Sequence, residues 1–302
     1  MMINIGIVID GATHGLSVCA RTIIPSLFPF MVLSEIITRS GIAQTAGHAL
    51  GRPFSRLFKI SGGGITPFLL GSLCGFPIGA KSAVSLYEEG MLTRDETERL
   101  LAFSNNTGPA FIVGGIGLTL WKSEYFGIML YSVQLVSALI VGLLLTMTAS
   151  KGSEGQAKTG LSSDAPSLPR LITEGISGST AAVLAVCGFV VFFSVLSKMF
   201  VYLFSFLCES SVLIGFIYAF FEVGSGSSVA SAVGSNQLLT GAALSALAVG
   251  WSGLSVHFQT MYFTAKHSLS LKRYFYGKIM SGILCVMLTL AALALFPRII
   301  TG

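Results

Sequence analysis

Residues 71–84 read "GSLCGFPIGAKSAV", a single lysine among glycines, small residues and apolar ones. The spacing excludes a phosphate-binding loop. That motif needs a Gly, four residues, then Gly-Lys-Ser/Thr, so that backbone amides and the lysine converge on one phosphate. Here Gly75 and Gly79 enclose three residues, Ala80 separates Gly79 from Lys81, and no β-branched strand leads in. Composition supplies another setting for the lysine. Of the 302 residues 53% are apolar and only 10% charged, with a mean hydropathy of +0.80. A soluble surface needs about a quarter charged residues. The chain must turn most of its outside to lipid, and the expectation is an all-α integral membrane protein.

Apolar stretches near the ~20 residues a crossing needs lie at 22–38, 97–120, 124–148, 178–200, 240–265 and 275–297. Residues 1–20, broken by Asp10 and His14, read as a short leading or interfacial helix. Residues 41–59 mix leucine and phenylalanine with Arg52, Arg56 and Lys59, as a basic helix on the membrane surface does. Residues 149–175 are rich in Ser, Gly, Pro and charge and read as a cytoplasmic linker. Two apolar stretches are too broken for ordinary spans: 64–88, interrupted by "CGFPIG", and 211–235, interrupted by "EVGSGSS". Each has the length of two half-helices joined at a tight tip, a re-entrant hairpin. Irregular backbone at that depth must be buried in protein or line a cavity.

The two halves, 1–148 and 176–302, echo one another. "FMVLSE" (30–35) matches "FSVLSK" (193–198), and "GAKSAV" (79–84) matches "GSSVAS" (226–231) more weakly. "SNNTGPAF" (104–111) lies opposite "WSGLSVHF" (251–258). Gly79 to Asn105 and Gly226 to Ser252 both span 26 residues. Each half therefore reads span, hairpin, broken span, span. Three crossings per half force the second half to be inverted. Of the lysines and arginines, 13 fall on one side: Arg39, Arg52, Arg56, Lys59, Arg94, Arg99, Lys151, Lys158, Arg170, Lys266, Lys272, Arg273 and Lys278. Three (Lys122, Lys198, Arg298) fall on the other. The positive-inside rule makes the first side cytoplasmic and places both termini outside a multi-pass cell-membrane protein. The net charge of +5 is then a topology signal, not a nucleic-acid footprint.

Inverted repeats with paired broken helices point to a secondary transporter, whose substrate binds near the midplane where half-helix ends meet. The candidate substrate-binding residues are Gly79, Lys81 and Ser82 of the first hairpin and Asn105, Asn106 and Thr107 of the first break, beside Pro109. Glu222, Ser225 and Gly226 come from the second hairpin, and Ser252, Ser255 and His257 from the second break. A lysine at the bilayer centre costs ~3 kcal/mol or more. Lys81 is expected to hold an anionic substrate, to stand in for a coupling cation, or to reach the interface. Glu222 is expected to pair with Lys81, to carry a proton, or to sit at the interface. His257 relays a proton or is held by a neighbour. The acidic run "EEGMLTRDETER" (88–99) reads as a solvated cytoplasmic turn, with Thr93 and Glu96 as a helix capping box.

Residues 75–117, "GFPIGAKSAVSLYEEGMLTRDETERLLAFSNNTGPAFIVGGIG", resemble the sporulation integral membrane proteins of the YlbJ type. That family carries a nucleoside-recognition (Gate) domain and includes the spore dipicolinate transporter. The resemblance rests on Gly-x-Pro-x-Gly-Ala-Lys followed by a Leu-Leu-Ala-Phe-x-Asn-Asn segment and a proline. The element order is also similar to the core of concentrative nucleoside transporters. The resemblance implies substrate held by two hairpins and two broken helices, elevator-type alternating access, and a small anionic metabolite such as dipicolinate as cargo. The alternatives are a nucleoside, or a non-transporting Gate-type partner of another membrane protein. It also implies a coupling ion, Na+ or H+, although Lys81 lies near the expected ion position. Related carriers are trimers, which makes a homo-oligomer a candidate assembly beside the lipid bilayer and the small-molecule substrate.

No enzyme is expected: the spans hold no His-rich metal set, no Ser-His-Asp set and no paired Asp. No metal and no cofactor are expected either. The five cysteines, Cys19, Cys74, Cys187, Cys208 and Cys285, form no CxxC pair and read as small apolar fillers. With no cation before Arg21, the N-terminus is not expected to be a cleavable signal.

Overall fold

The computed structural model describes residues 5–40, 51–147, 149, 167–205 and 210–296, and every regular element among them is helical. Helix α1 (Ile5–Val18), a π-turn (Cys19–Ile23) and α2 (Ile24–Arg39) form one uninterrupted run. The leading segment is thus continuous with the 22–38 stretch. Pro25 has no N–H to give, and in the widened turn Ile24 N donates to Cys19 O five residues back. Helix α1 lies along α8 (Leu168–Ser205) through Gly11 and Gly15, a small-x-x-x-small stripe. A Cβ at Gly11 would lie 2.7 Å from Val195 Cα, and one at Gly15 2.7 Å from Val191 Cα. Ser194 Oγ donates to Gly11 O at 3.0 Å across this seam.

Helix α3 (Gly51–Phe58) covers the end of the stretch read as interfacial, whose residues 41–50 lie outside the described residues. The chain then turns by 98° into a short 3₁₀ turn and α4 (Ile65–Cys74). Helices α4 and α5 (Ile78–Glu88) make a hairpin with its tip at 75–77, where Gly75 has φ +88°. Helix α6 (Arg94–Ser104) stops at the non-helical residues 105–108, and a π-helix (Ala110–Trp121) resumes after Pro109. Helix α7 (Glu124–Thr146) closes this half. Helix α8 takes in residues 168–175 of the stretch read as linker, of which 151–166 lie outside the described residues.

From α9 onward the order hairpin, broken helix, long helix recurs. Helices α9 (Ser211–Phe221) and α10 (Val223–Gly234) form a hairpin broken at Glu222. Helix α11 (Leu238–Trp251) breaks at Ser252 before α12 (Gly253–Thr264), and α13 (Lys272–Leu295) follows. Thirty residues separate Gly75 from Asn105, and thirty separate Glu222 from Ser252. Tip and break therefore recur in register.

Among the described residues four helical segments are long and apolar enough to cross a membrane: Glu124–Thr146, Leu168–Phe204, Leu238–His267 and Lys272–Leu295. The bent pair Gly51–Phe58 and Gly62–Cys74 is a fifth if it counts as one span. The expected spans at 22–38 and 97–120 contribute only the shorter apolar helices Leu27–Ile36 and Ala110–Trp121. In the second case the break at 105–108 divides the stretch.

The acidic run is solvated only in part: Glu88, Glu89, Gly90 and Arg94 are exposed, whereas Glu96 and Arg99 are buried. The Thr93–Glu96 capping box forms, and the same Glu96 carboxylate accepts from Ser61 N at 2.6 Å and Ser61 Oγ at 2.7 Å. Arg99, 1% exposed, reaches the end of α3 and donates to Phe58 O (2.8 Å) and Lys59 O (2.7 Å). Asp95 binds both Arg99 (2.9 Å) and Arg273 (2.6 Å). Glu98 accepts from Ser270 N at 2.8 Å. These bonds strap the start of α6 to the loop before α13. Burial raises the Asp95 carboxyl, but the Arg273 and Arg99 guanidiniums outweigh it and hold the group below its ordinary range.

Candidate functional site at the paired helix breaks

Each hairpin tip rests on the break of its own half. Gly71 and Gly79 let α4 and α5 approach so closely that a Cβ on either would overlap Ser104 O at the end of α6. Gly75 faces Gly108 N, and a Cβ there would lie 2.9 Å away. In the second half a Cβ at Gly253 would lie 3.1 Å from Glu222 Cα. The two halves also touch. Phe76 of the first tip and Phe111 pack against Ala219, Val223 and Ala248, which flank the second tip and line α11. Both tips and both breaks therefore converge on one region.

That region is polar and buried. Asn105, Asn106, Thr107, Ser252, Ser255, His257, Gln259 and Thr260 are all at most 3% exposed. Asn105 Nδ2 donates to Thr260 Oγ1 at 2.9 Å, tying the first break to α12. Asn106 Nδ2 donates to Phe103 O at 2.8 Å and lies 3.4 Å from Ser72 Oγ. The Thr107 N–H donates to Gln134 Oε1 of α7 at 3.1 Å, and Gln134 Nε2 donates to Thr107 O at 2.9 Å. Ser252 holds a left-handed φ of +72°, rare for a residue with a Cβ, and Gly253 follows at +78°. Strain of this kind needs the surrounding structure to hold it in place.

Lys278 links the two breaks. It lies two turns into α13, is 2% exposed, and donates to Asn105 O and to Ser252 Oγ (3.3 Å). By sequence position it falls, like Arg99, among the cations expected on the cytoplasmic side. Both are buried, and eleven against three remain without them. The charge pattern gave one usable signal: Lys278 stands beyond Lys272 and Arg273, inside an apolar stretch.

Lys81 has a partner that none of the sequence expectations named. Its Nζ lies 2.7 Å from Glu35 Oε2 on α2, so its charge is met within the protein. Glu222 does not pair with it. The Glu222 carboxylate caps α10, accepting from Gly224 N (2.8 Å) and Ser225 N (2.6 Å). A carboxylate suits the positive end of a helix, and four exposed N–H groups there need partners. Gly226 lets α10 press onto Ala219 of α9. His257 is held through Nδ1, 2.8 Å from Tyr274 Oη, and Trp251 stands edge-on to its ring at 4.2 Å. Ser255 Oγ accepts from Gln259 Nε2 at 3.2 Å. Glu35, Gln134, Thr260, Tyr274 and Lys278 escaped sequence reading, because each acts through contacts distant in the chain.

Several buried atoms find no hydrogen-bond partner among the described residues. Apart from the ion-paired Lys81 Nζ, they are Ser82 Oγ, Ser104 Oγ, Asn105 Oδ1, Thr107 Oγ1, Ser179 Oγ, His257 Nε2, Gln259 Oε1 and Thr289 Oγ1. Five of these eight lie at the first break or on α12 after the second. Orphaned buried polar atoms are costly, and such a cluster is suited to a small polar guest. Among the described residues no group of His, Cys, Asp and Glu could hold a metal ion.

Residues 20–151 match the nucleoside-recognition Gate family. The match runs from the π-turn before α2 through the first hairpin, the first break and α7. The chain is also 26% identical to the sporulation integral membrane protein YlbJ of Bacillus subtilis (strain 168), over 91% of its own length and 74% of that protein. The resemblance seen in residues 75–117 thus extends across most of the chain. Together with the long apolar helices, this supports a multi-pass integral membrane protein similar to YlbJ. No solved structure matches the chain.

Proposed function

We propose that this chain is a secondary transporter of a small anionic metabolite of the dipicolinate class, working by elevator-type alternating access. The observation that carries this is the convergence of two helical hairpins and two helix breaks on one buried, polar region spanned by Lys278. Repeated halves with broken helices suit a carrier that must open to each side in turn. In this reading the second half is inverted, the hairpins are re-entrant gates, both termini lie outside, and substrate meets Asn105, Thr107, Ser252 and Gln259. The Lys81–Glu35 pair is internally neutral, so the positive charge left for a carboxylate is that of Lys278.

One observation favours a nucleoside instead. Asn105 Oδ1 and Gln259 Oε1 are orphaned acceptors, which suit a base or ribose donor, and the Gate family is described as nucleoside-recognising. The two readings separate in proteoliposomes loaded with the purified chain. Uptake of labelled dipicolinate, competed by unlabelled dipicolinate and not by uridine, supports the first. Saturable uridine uptake without dipicolinate flux replaces it with the second. No flux of either, from protein shown to be folded, overturns transport of both classes.

A further inference from the structure

Lys278 is unusual in what neutralises it. Among the described residues no carboxylate lies within ion-pair distance of its ammonium. Its partners are instead the ends of two helices. Asn105, whose carbonyl accepts one bond, is the C-cap of α6. Ser252, whose hydroxyl accepts another, is the C-cap of α11. A helix C-terminus carries about half a negative charge on its unpaired carbonyls. Two such ends brought together, one from each half, make a site for a monovalent cation. Broken helices commonly present their C-terminal ends to a coupling ion in this way. In this chain the side chain of α13 fills that place.

We infer that Lys278 is a resident cation: a tethered ammonium that occupies the monovalent-cation site formed by the two helix breaks. The inference deepens the transport reading, on which its consequence for coupling rests: flux independent of Na+, with a fixed positive charge beside the substrate. The site itself rests only on the contacts of Lys278. Emptying it should expose a small-cation site lined by Asn105 O and Ser252 Oγ.

The test reads stability rather than flux, so its failure and the failure of the transport reading are separate results. Thermal unfolding of the full chain in detergent is followed in sodium, potassium, methylammonium and choline chlorides at equal ionic strength. The wild type is expected to melt alike in all four. Lys278→Ala is expected to melt lower in choline. It should regain several degrees, saturably, in sodium, potassium or methylammonium, as a ligand that binds only the folded state requires. Lys278→Met fills the space without a charge and should show no cation response. Indifference of folded Lys278→Ala to every small cation overturns the inference. So does specific stabilisation of the wild type by Na+ or K+, a measurement that stands even if the alanine variant does not fold.

Discussion

Two buried cations hold this protein together in different ways, and each can be tested alone. The Arg99 guanidinium satisfies Phe58 O and Lys59 O at the end of α3 while pairing with Asp95. Arg99→Met would strand both carbonyls and free the Asp95 charge from one partner. Breaking a buried ionic network of this kind costs about 3–5 kcal/mol. A clear fall in the thermal midpoint is expected, and Arg99→Lys should not restore it, since one ammonium cannot reach both carbonyls and the carboxylate. An unchanged midpoint for Arg99→Met would contradict this. The Asp95 carboxyl supplies a pH signature. It titrates below its ordinary value of 3.8 in the folded state, so its stabilisation is complete above that value. It is lost as pH falls through the lower folded value. Asp95→Asn should be less stable than the wild type at neutral pH and show a smaller stability loss below pH 3.8. Parallel acid limbs for the two proteins would count against the strap from α6 to α13.

At the scale of elements, closeness of backbone is what the glycines provide. Gly15→Ile places a branched side chain where a Cβ already comes within 2.7 Å of Val191 Cα. It is expected to separate α1 from α8 and lower stability, whereas Gly63→Ala, with nothing within 4 Å, should be neutral. Gly79→Ala would push α5 off Ser104 O and disturb the first break itself. These elements differed in how far sequence revealed them. The hairpin at 64–88 and the break before Pro109 are written in local chemistry, since the close cluster Gly75, Pro77 and Gly79 and the pair Gly108–Pro109 disfavour continuous helix. The recurrence of hairpin and break was visible as the equal spacing of Gly79–Asn105 and Gly226–Ser252. The partner of Lys81 was not, because Glu35 lies 46 residues away on another helix. Lys278 was misplaced because a cation close to the end of an apolar stretch looks like a loop residue until its neighbours are known. The acidic run misled for a related reason. Charge density suggests solvent, yet Glu96 and Arg99 spend their charges on Ser61 and on the end of α3.

Over the whole molecule, the proposed transport mechanism has the two hairpins move against the two breaks to pass substrate. Ser72 Oγ on α4 and Asn106 Nδ2 at the first break are 3.4 Å apart, close enough for a reversible lock. The most direct measurement is dipicolinate uptake by Ser72→Cys with Asn106→Cys in a chain whose five native cysteines are replaced. Uptake should run when the pair is reduced, stop when it is oxidised to completion, and return on reduction. Undiminished uptake by the fully crosslinked protein would show that this hairpin is not a gate.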